Sequence, residues 1–222
     1  MSKFICFGFT LAAILLSAMS SQADPILPNH SDSRWQDIHS ISWSVDNGST
    51  WGKDELFVGQ SVLFQFVMHK DYKGTHYADL LKAWIDWDDN GFDSDESIIF
   101  DKHVVWDNPV QNQFPGENVD EYYRFQTTTG LLLTNDHLGD HWLLARVTCS
   151  ESLIAGVFPH NWNTQWDNGI DYNSYFLPNK SYNQGEAELY KLTVNPVPEP
   201  ASILLFGAGL AGLAGIRLRS KK

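Results

Sequence analysis

Cysteine is nearly absent: of 222 residues only Cys6 and Cys149 carry a thiol. That excludes a disulfide-stapled scaffold. Basic residues are also scarce, 15 Lys and Arg against 27 Asp and Glu. A chain this acidic lacks the clustered cations that neutralise phosphates, which excludes nucleic acid as a partner. No apolar run reaches the ~20 residues that a membrane-spanning helix ordinarily needs. The Gly-x-Ser-x-Gly, P-loop, CxxC, dinucleotide and His-Glu-x-x-His patterns are all missing. With no catalytic constellation in view, the chain reads as a non-enzyme, and a secreted hydrolase has nothing to stand on. What is present is 43% hydrophobic and 14% aromatic residues, too apolar for disorder throughout. The length suits one sizeable domain or two small ones.

The two ends read as addresses rather than fold. Residues 1–23 combine Lys3, an apolar run from Phe4 to Leu16 and a small-x-small site at Ser21-Gln22-Ala23. This is the order of a signal peptide for Sec export; an N-terminal membrane anchor is the alternative. Cys6 leaves with such a signal, so the mature chain keeps only Cys149. That residue sits in a strand-like run and reads as a small buried hydrophobe.

At the other end, Pro198-Glu199-Pro200 precedes an uncharged run from Ala201 to Ile216 and the basic tail Arg217, Arg219, Lys221 and Lys222. Sixteen helical residues span about 24 Å, short of a ~30 Å hydrocarbon core. This is a marginal transmembrane helix whose basic end stays cytoplasmic. Gly207, Gly209, Gly212 and Gly215 leave room for a second helix to pack closely. A plain, uncleaved tail anchor is the alternative. The motif, helix and basic tail of residues 196–222 resemble the PEP-CTERM sorting signal of Gram-negative bacteria. The resemblance implies that the chain is a substrate of an exosortase, a membrane transpeptidase-like enzyme. It implies passage through the inner membrane to the surface or exterior, and an association with exopolysaccharide and biofilm.

Between the ends, residues 24–195 read as one all-β domain. Val62 to His69, Lys82 to Trp87, Trp142 to Cys149 and Tyr190 to Val194 alternate with period two and are rich in β-branched and aromatic residues, the pattern of half-buried strands. Asn47-Gly48, Asn90-Gly91, Pro115-Gly116 and Gly139-Asp140 mark turns. The expected architecture is an antiparallel, immunoglobulin-like β-sandwich, with a partly closed barrel as the alternative. Asp107–Asp120 and Phe158–Gly185 are too long for hairpin loops. The ends hold five of the basic residues and one acidic residue, so residues 24–195 carry −16.

Part of that charge is concentrated in Asp86-Trp-Asp88-Asp-Asn90-Gly91-Phe92-Asp93-Ser-Asp95-Glu96. Oxygen ligands at positions one, three and five, then glycine at six, open a calcium loop of EF-hand type. Asp86, Asp88 and Asn90 offer side chains and Phe92 its carbonyl. The twelfth position is Ser97, so Glu96 comes one place early, and no flanking helices are expected. A β-hairpin calcium loop shortened by one residue is therefore predicted. A solvated turn is the alternative, but Asp88, Asp89, Asp93, Asp95 and Glu96 repel one another without a cation.

Gly185-Glu186-Ala187-Glu188-Leu189-Tyr190 resembles the Gly-Glu-Val-Glu-Asp-Tyr signature of the GEVED domain, found in bacterial secreted and surface proteins. Trp84-Ile-Asp86-Trp-Asp88-Asp-Asn90-Gly91 resembles that family's acidic loop, and Gly139-Asp-His-Trp142-Leu-Leu-Ala-Arg146-Val its penultimate strand. Ala187 and Leu189 depart from the signature, and Leu189 removes one carboxylate. The resemblance implies a binding or structural role without catalysis.

Three further features complete the reading. Ser44-Val-Asp46-Asn-Gly48-Ser-Thr50-Trp51 fits the Asp-box turn of β-propellers, but one copy in a chain this short makes a turn, not a propeller. His137 and His141 flank a predicted turn rather than sharing a helix face, so they are not expected to hold a metal. Trp162, Trp166, Tyr172 and Tyr175, set among Asn and Gln, either staple a long loop or bind glycan. The second role would make the protein a carbohydrate-binding module acting through residues 158–185.

Overall fold

The computed structural model describes residues 35–72, 77–104, 118–155 and 170–198, together with Leu27 and Ser33. Nine strands occur among them: β1 (Asp37–Ser44), β2 (Leu56–Phe57), β3 (Ser61–Tyr72), β4 (Ala78–Asp86), β5 (Ser97–Val104), β6 (Asn118–Gln126), β7 (Leu131–Leu132), β8 (Gly139–Cys149) and β9 (Glu186–Asn195). Two short helices, α1 (Ser150–Ala155) and α2 (Tyr172–Tyr175), are the α-helical content of the described residues. The described residues are mostly β-sheet, as their period-two patterning predicts.

The strands form two sheets. One runs β1-β3-β6, with β7 paired to the start of β3; the other runs β2-β9-β8-β4-β5. Alternation along β3 points Val62, Phe64, Phe66 and Met68 to one side, where they meet Leu81, Ala83 and Ile85 of β4 and Leu143, Ala145 and Val147 of β8. Ile38, Ile41 and Trp43 of β1 and Leu192 and Val194 of β9 close the same cluster. Each such side chain contributes roughly 1.5–3 kcal/mol on burial. At one end of this interior Lys70 and Asp79 form an ion pair of 2.7 Å between the sheets.

A second apolar cluster lies on the opposite face of the five-stranded sheet. Leu80, Trp84 and Leu144 pack there under Leu153, Tyr172, Phe176 and Tyr182. Residues 170–185 thus cover the outer face, and β4 is buried along its whole length. This corrects the expectation of a half-buried strand: alternation in β4 separates two buried faces, not a wet face from a dry one.

Three further expectations change. The strand pairing is not wholly antiparallel, because β2 pairs with β9 in parallel, Leu56 opposite Val194. Gly139 and Asp140 open β8 rather than forming a turn; Gly139 has φ +119° and leads directly into pairing with β9. Finally, β6 begins at Asn118, inside the segment read as a polar loop. Tyr122 points outward and Glu121 pairs with inward-facing Lys70, which breaks the alternation that marks the other strands.

The Asp-box segment is a turn. Ser44 Oγ donates to Asp46 Oδ1 (2.7 Å) and accepts from Gly48 N–H (2.8 Å), while Thr50 N–H and Oγ1 donate to the Asp46 carboxylate. Those donors, Ser44 first, lower the Asp46 pKa to about 2. Asn47 (φ 59°) and Gly48 (φ 83°) take the left-handed conformation that the turn requires. Cys149 is buried at the end of β8, as its sequence context suggests.

Among the described residues no helix is long and apolar enough to cross a membrane. The expected signal helix (1–23), the C-terminal helix (201–216), Trp162 and Trp166 lie outside the described residues.

Candidate functional site

The acidic loop joins two antiparallel strands. β4 ends at Asp86, the chain turns through Asp89 (φ 62°) and Gly91 (φ 101°), and a single 3-10 turn over Ser94–Glu96 leads into β5. That tight turn swings the Glu96 side chain back over the start of the loop. Glu96 Oε1 accepts from Trp87 N–H (3.1 Å) and Oε2 from Asp93 N–H (2.9 Å). Asp86 Oδ2 accepts from Gly91 N–H (3.2 Å).

Asp86, Asp88 and Glu96 each present a carboxylate oxygen, and the three lie within 4.8 Å of one another. Asp86 is only 4% exposed. Its Oδ1 is buried with no hydrogen-bond partner among the described residues, and a buried polar atom is costly until a donor or a cation reaches it. Burial raises the Glu96 pKa, and the neighbouring charges of Asp86 and Asp88 add to that rise against the backbone donors of Asp93 and Trp87. Of the other predicted ligands, Asn90 is exposed and its amide donates to Asp88 Oδ2 (2.8 Å). Phe92 turns its half-buried ring onto the second apolar cluster.

His137 and His141 stand beside this loop in structural roles. Thr134 N–H donates to His137 Nδ1 (3.0 Å), closing the 3-10 turn over Asn135–His137. The His141 ring lies between two carbonyls, with Nδ1 3.3 Å from the oxygen of Asp86 and Nε2 3.0 Å from that of His137. Trp87 packs on both rings, with centroids 4.3 and 4.8 Å away.

A second cluster brings Asp37, His69 and Asp71 together on the other sheet. Both ring nitrogens are engaged: Nδ1 lies 3.0 Å from Asp37 and Nε2 3.2 Å from Asp120. Burial of the ring opposes its charge, but Asp37, Asp71 and Asp120 outweigh burial and the His69 pKa is raised. His69 and Asp71 are two residues apart on β3, but only strand register brings Asp37 to them.

The loop aromatics divide. Tyr172 is 2% exposed and belongs to the second apolar cluster; Tyr175 is half-buried against it. Tyr182 donates its hydroxyl to the carbonyl of Tyr175 (3.1 Å) and accepts from Leu177 N–H (3.0 Å). These rings face the sheet. Two cations set in apolar strand runs complete the anchoring. Arg146 donates to the carbonyls of Leu177 (2.6 Å), Pro178 (3.0 Å) and Lys180 (2.6 Å), and Lys82 to that of Asn173 (2.8 Å). A charged residue in the middle of an apolar strand run is the signal that marks both.

The Gly-Glu-Ala-Glu segment has structural work. Glu186 Oε2 accepts from Ile38 N–H (2.7 Å), tying β9 to β1 of the facing sheet, and Glu188 accepts from the Tyr190 hydroxyl.

Residues 196–220 match the family model of the PEP-CTERM protein-sorting motif. This covers the expected Pro198-Glu199-Pro200 motif, the apolar run, and Arg217 and Arg219 of the basic tail. The motif implies an exported protein sorted by an exosortase, with transient anchoring in the membrane through its C-terminus. No curated protein matches the chain.

Proposed function

We propose that the protein is a non-enzymatic surface or extracellular-matrix component whose folded domain is an immunoglobulin-like, GEVED-like sandwich stabilised by calcium. In this reading the N-terminal signal directs Sec export in a Gram-negative cell. The exosortase then acts on the C-terminal signal, and the released domain joins an exopolysaccharide or biofilm matrix. The observation that carries the calcium part is the buried Asp86 Oδ1, without a hydrogen-bond partner among the described residues, beside Asp88 and Glu96. Hard oxygen donors and no soft ligand suit calcium. Asp86, Asp88 and Glu96 would hold the ion, with the Asn90 side chain and the Phe92 carbonyl completing the set. The ion would offset the mutual repulsion of the loop and pin the turn between β4 and β5.

Thermal unfolding of the exported protein tests this. At about a hundred times Kd, calcium adds about 2.7 kcal/mol, which raises Tm by roughly 5–10 °C in a domain of this size. EDTA reverses the rise and Asp86→Asn abolishes it. Identical melting in calcium and EDTA sinks the proposal. The sorting part has its own readout: mass spectrometry of the protein from an exosortase-competent host is expected to find a C-terminus lacking the basic tail. An intact Lys222 on the exported protein counts against processing.

A further inference from the structure

The outer face of the five-stranded sheet holds a second feature, independent of the calcium reading. A groove of about 570 Å³ opens between the β4–β5 edge and α2. It is lined by Lys82, Ser94, Ser97, Ile98, Ile99, Phe100, Asn173, Ser174 and Leu177. That volume falls in the ~300–1,000 Å³ span of small-ligand sites. Lys82 is the unusual member. It is 4% exposed, yet no carboxylate lies within ion-pair distance of it among the described residues. One donor of its ammonium goes to the Asn173 carbonyl, and the Trp84 ring lies 5.3 Å from Nζ. An ammonium has three donors, and a buried cation is disfavoured unless an anion or further acceptors reach it. Burial accordingly lowers the Lys82 pKa, which Asp171 only partly offsets.

From this geometry we infer that the groove is a binding site for a carboxylate-bearing polyol, of which a hexuronic acid is the simplest form. The carboxylate meets Lys82 Nζ. The Ser94 hydroxyl and the Asn173 amide, which have no protein partner among the described residues, take the ring hydroxyls. Phe100 and Leu177 supply an apolar wall for the C–H face of the ring. Asp171, whose charge reaches Lys82, disfavours a densely charged ligand. Ser94 and Ser97 flank Glu96, so the acidic loop forms one wall of the groove.

The test is calorimetric titration of the full chain with sodium galacturonate and sodium glucuronate, beside galactose and acetate, in calcium and again in EDTA. Saturable binding of a uronate, with galactose and acetate each at least about tenfold weaker, is expected. Lys82→Met keeps most of the stem and removes the charge. It should weaken uronate binding about tenfold or more, the loss of one charge-assisted contact. Should that variant fail to fold, Ser174→Trp, at the exposed rim, is expected to block the groove without touching the core and to abolish binding. No uronate binding by the parent protein overturns the inference, as does binding unchanged in Ser174→Trp. Equal affinity for acetate overturns the polyol assignment. Uronate bound only in calcium and indifferent to Lys82→Met would place the carboxylate on the acidic loop, and would overturn the Lys82 site while leaving the calcium reading intact.

Discussion

Asp79→Ala is expected to destabilise the domain by about 3–5 kcal/mol, the loss that follows removal of one partner from a buried ion pair. Asp79 and Lys70 are both buried, 0% and 1% exposed at their side chains. Lys70 extends inward from β3 and Asp79 from β4, so the pair bridges the sheets, and Gln36 donates to the second Asp79 oxygen. Alanine would leave an ammonium in a site that water does not reach. The expected readout is a urea midpoint shifted to much lower concentration with an unchanged slope. The charge mechanism has a further consequence: Lys70→Met combined with Asp79→Leu should recover most of the loss, because a well-packed apolar pair avoids desolvation of both ions. An Asp79→Ala protein within about 1 kcal/mol of the parent would refute the description of the pair as an essential interior contact.

Gly185→Ala is the second large effect. Gly185 has φ +99°, a conformation that L side chains rarely adopt, and a Cβ there would stand 1.9 Å from the Val147 carbonyl oxygen and 2.8 Å from its carbon. The obstruction is backbone in the neighbouring strand and cannot rotate away. Backbone strain of about 1–3 kcal/mol adds to an overpacking penalty of about 1–3 kcal/mol, so a loss on the order of 3 kcal/mol or more is expected. Because β8 and β9 are in register from Val147–Glu186 onward, the damage should begin at that end. Amide exchange is expected to speed up first around Val147 and Glu186. Gly139→Ala provides the comparison: φ is also positive, but nothing lies within 4 Å of a Cβ there, so only the strain component remains. Equal losses in the two variants would show that the close approach at Val147 is unimportant.

How far the sequence speaks depends on the distance over which each feature is made. β3 is legible because its inward Val62, Phe64, Phe66 and Met68 alternate with residues that face outward. β1 is harder to read, since Asp37, His39 and Ser40 dilute the pattern of Ile38, Ile41 and Trp43. β4 is legible as a strand but not as a doubly covered one, because the covering residues 170–185 lie far away in the chain. The acidic loop is compact, eleven residues from Asp86 to Glu96, so its convergence can be expected from spacing alone. Even the early glutamate has a local explanation in the 3-10 turn over Ser94–Glu96.

The groove shows the opposite case. Lys82 belongs to β4, Ser94 and Ser97 to the hairpin after it, and Asn173 and Leu177 to a segment about ninety residues on. Lys82 and Arg146 are register partners across β4 and β8, a pairing that no local pattern specifies. The same is true of His69, whose three carboxylate neighbours come from β1, β3 and β6.

By itself, then, the sequence determined the features that chemistry writes into short stretches: the sorting motif at 196–220, the alternation of the strands, the Asp46 turn and the crowding of carboxylates between Asp86 and Glu96. Tertiary structure decided which of those groups lose water. Burial takes the Asp86 oxygen away from solvent, sets Lys82 beside a groove with no carboxylate at ion-pair distance among the described residues, and turns Tyr172 inward as packing. The reason is physical: a residue type sets what a group can bond to, whereas desolvation depends on which distant segments the fold lays over it.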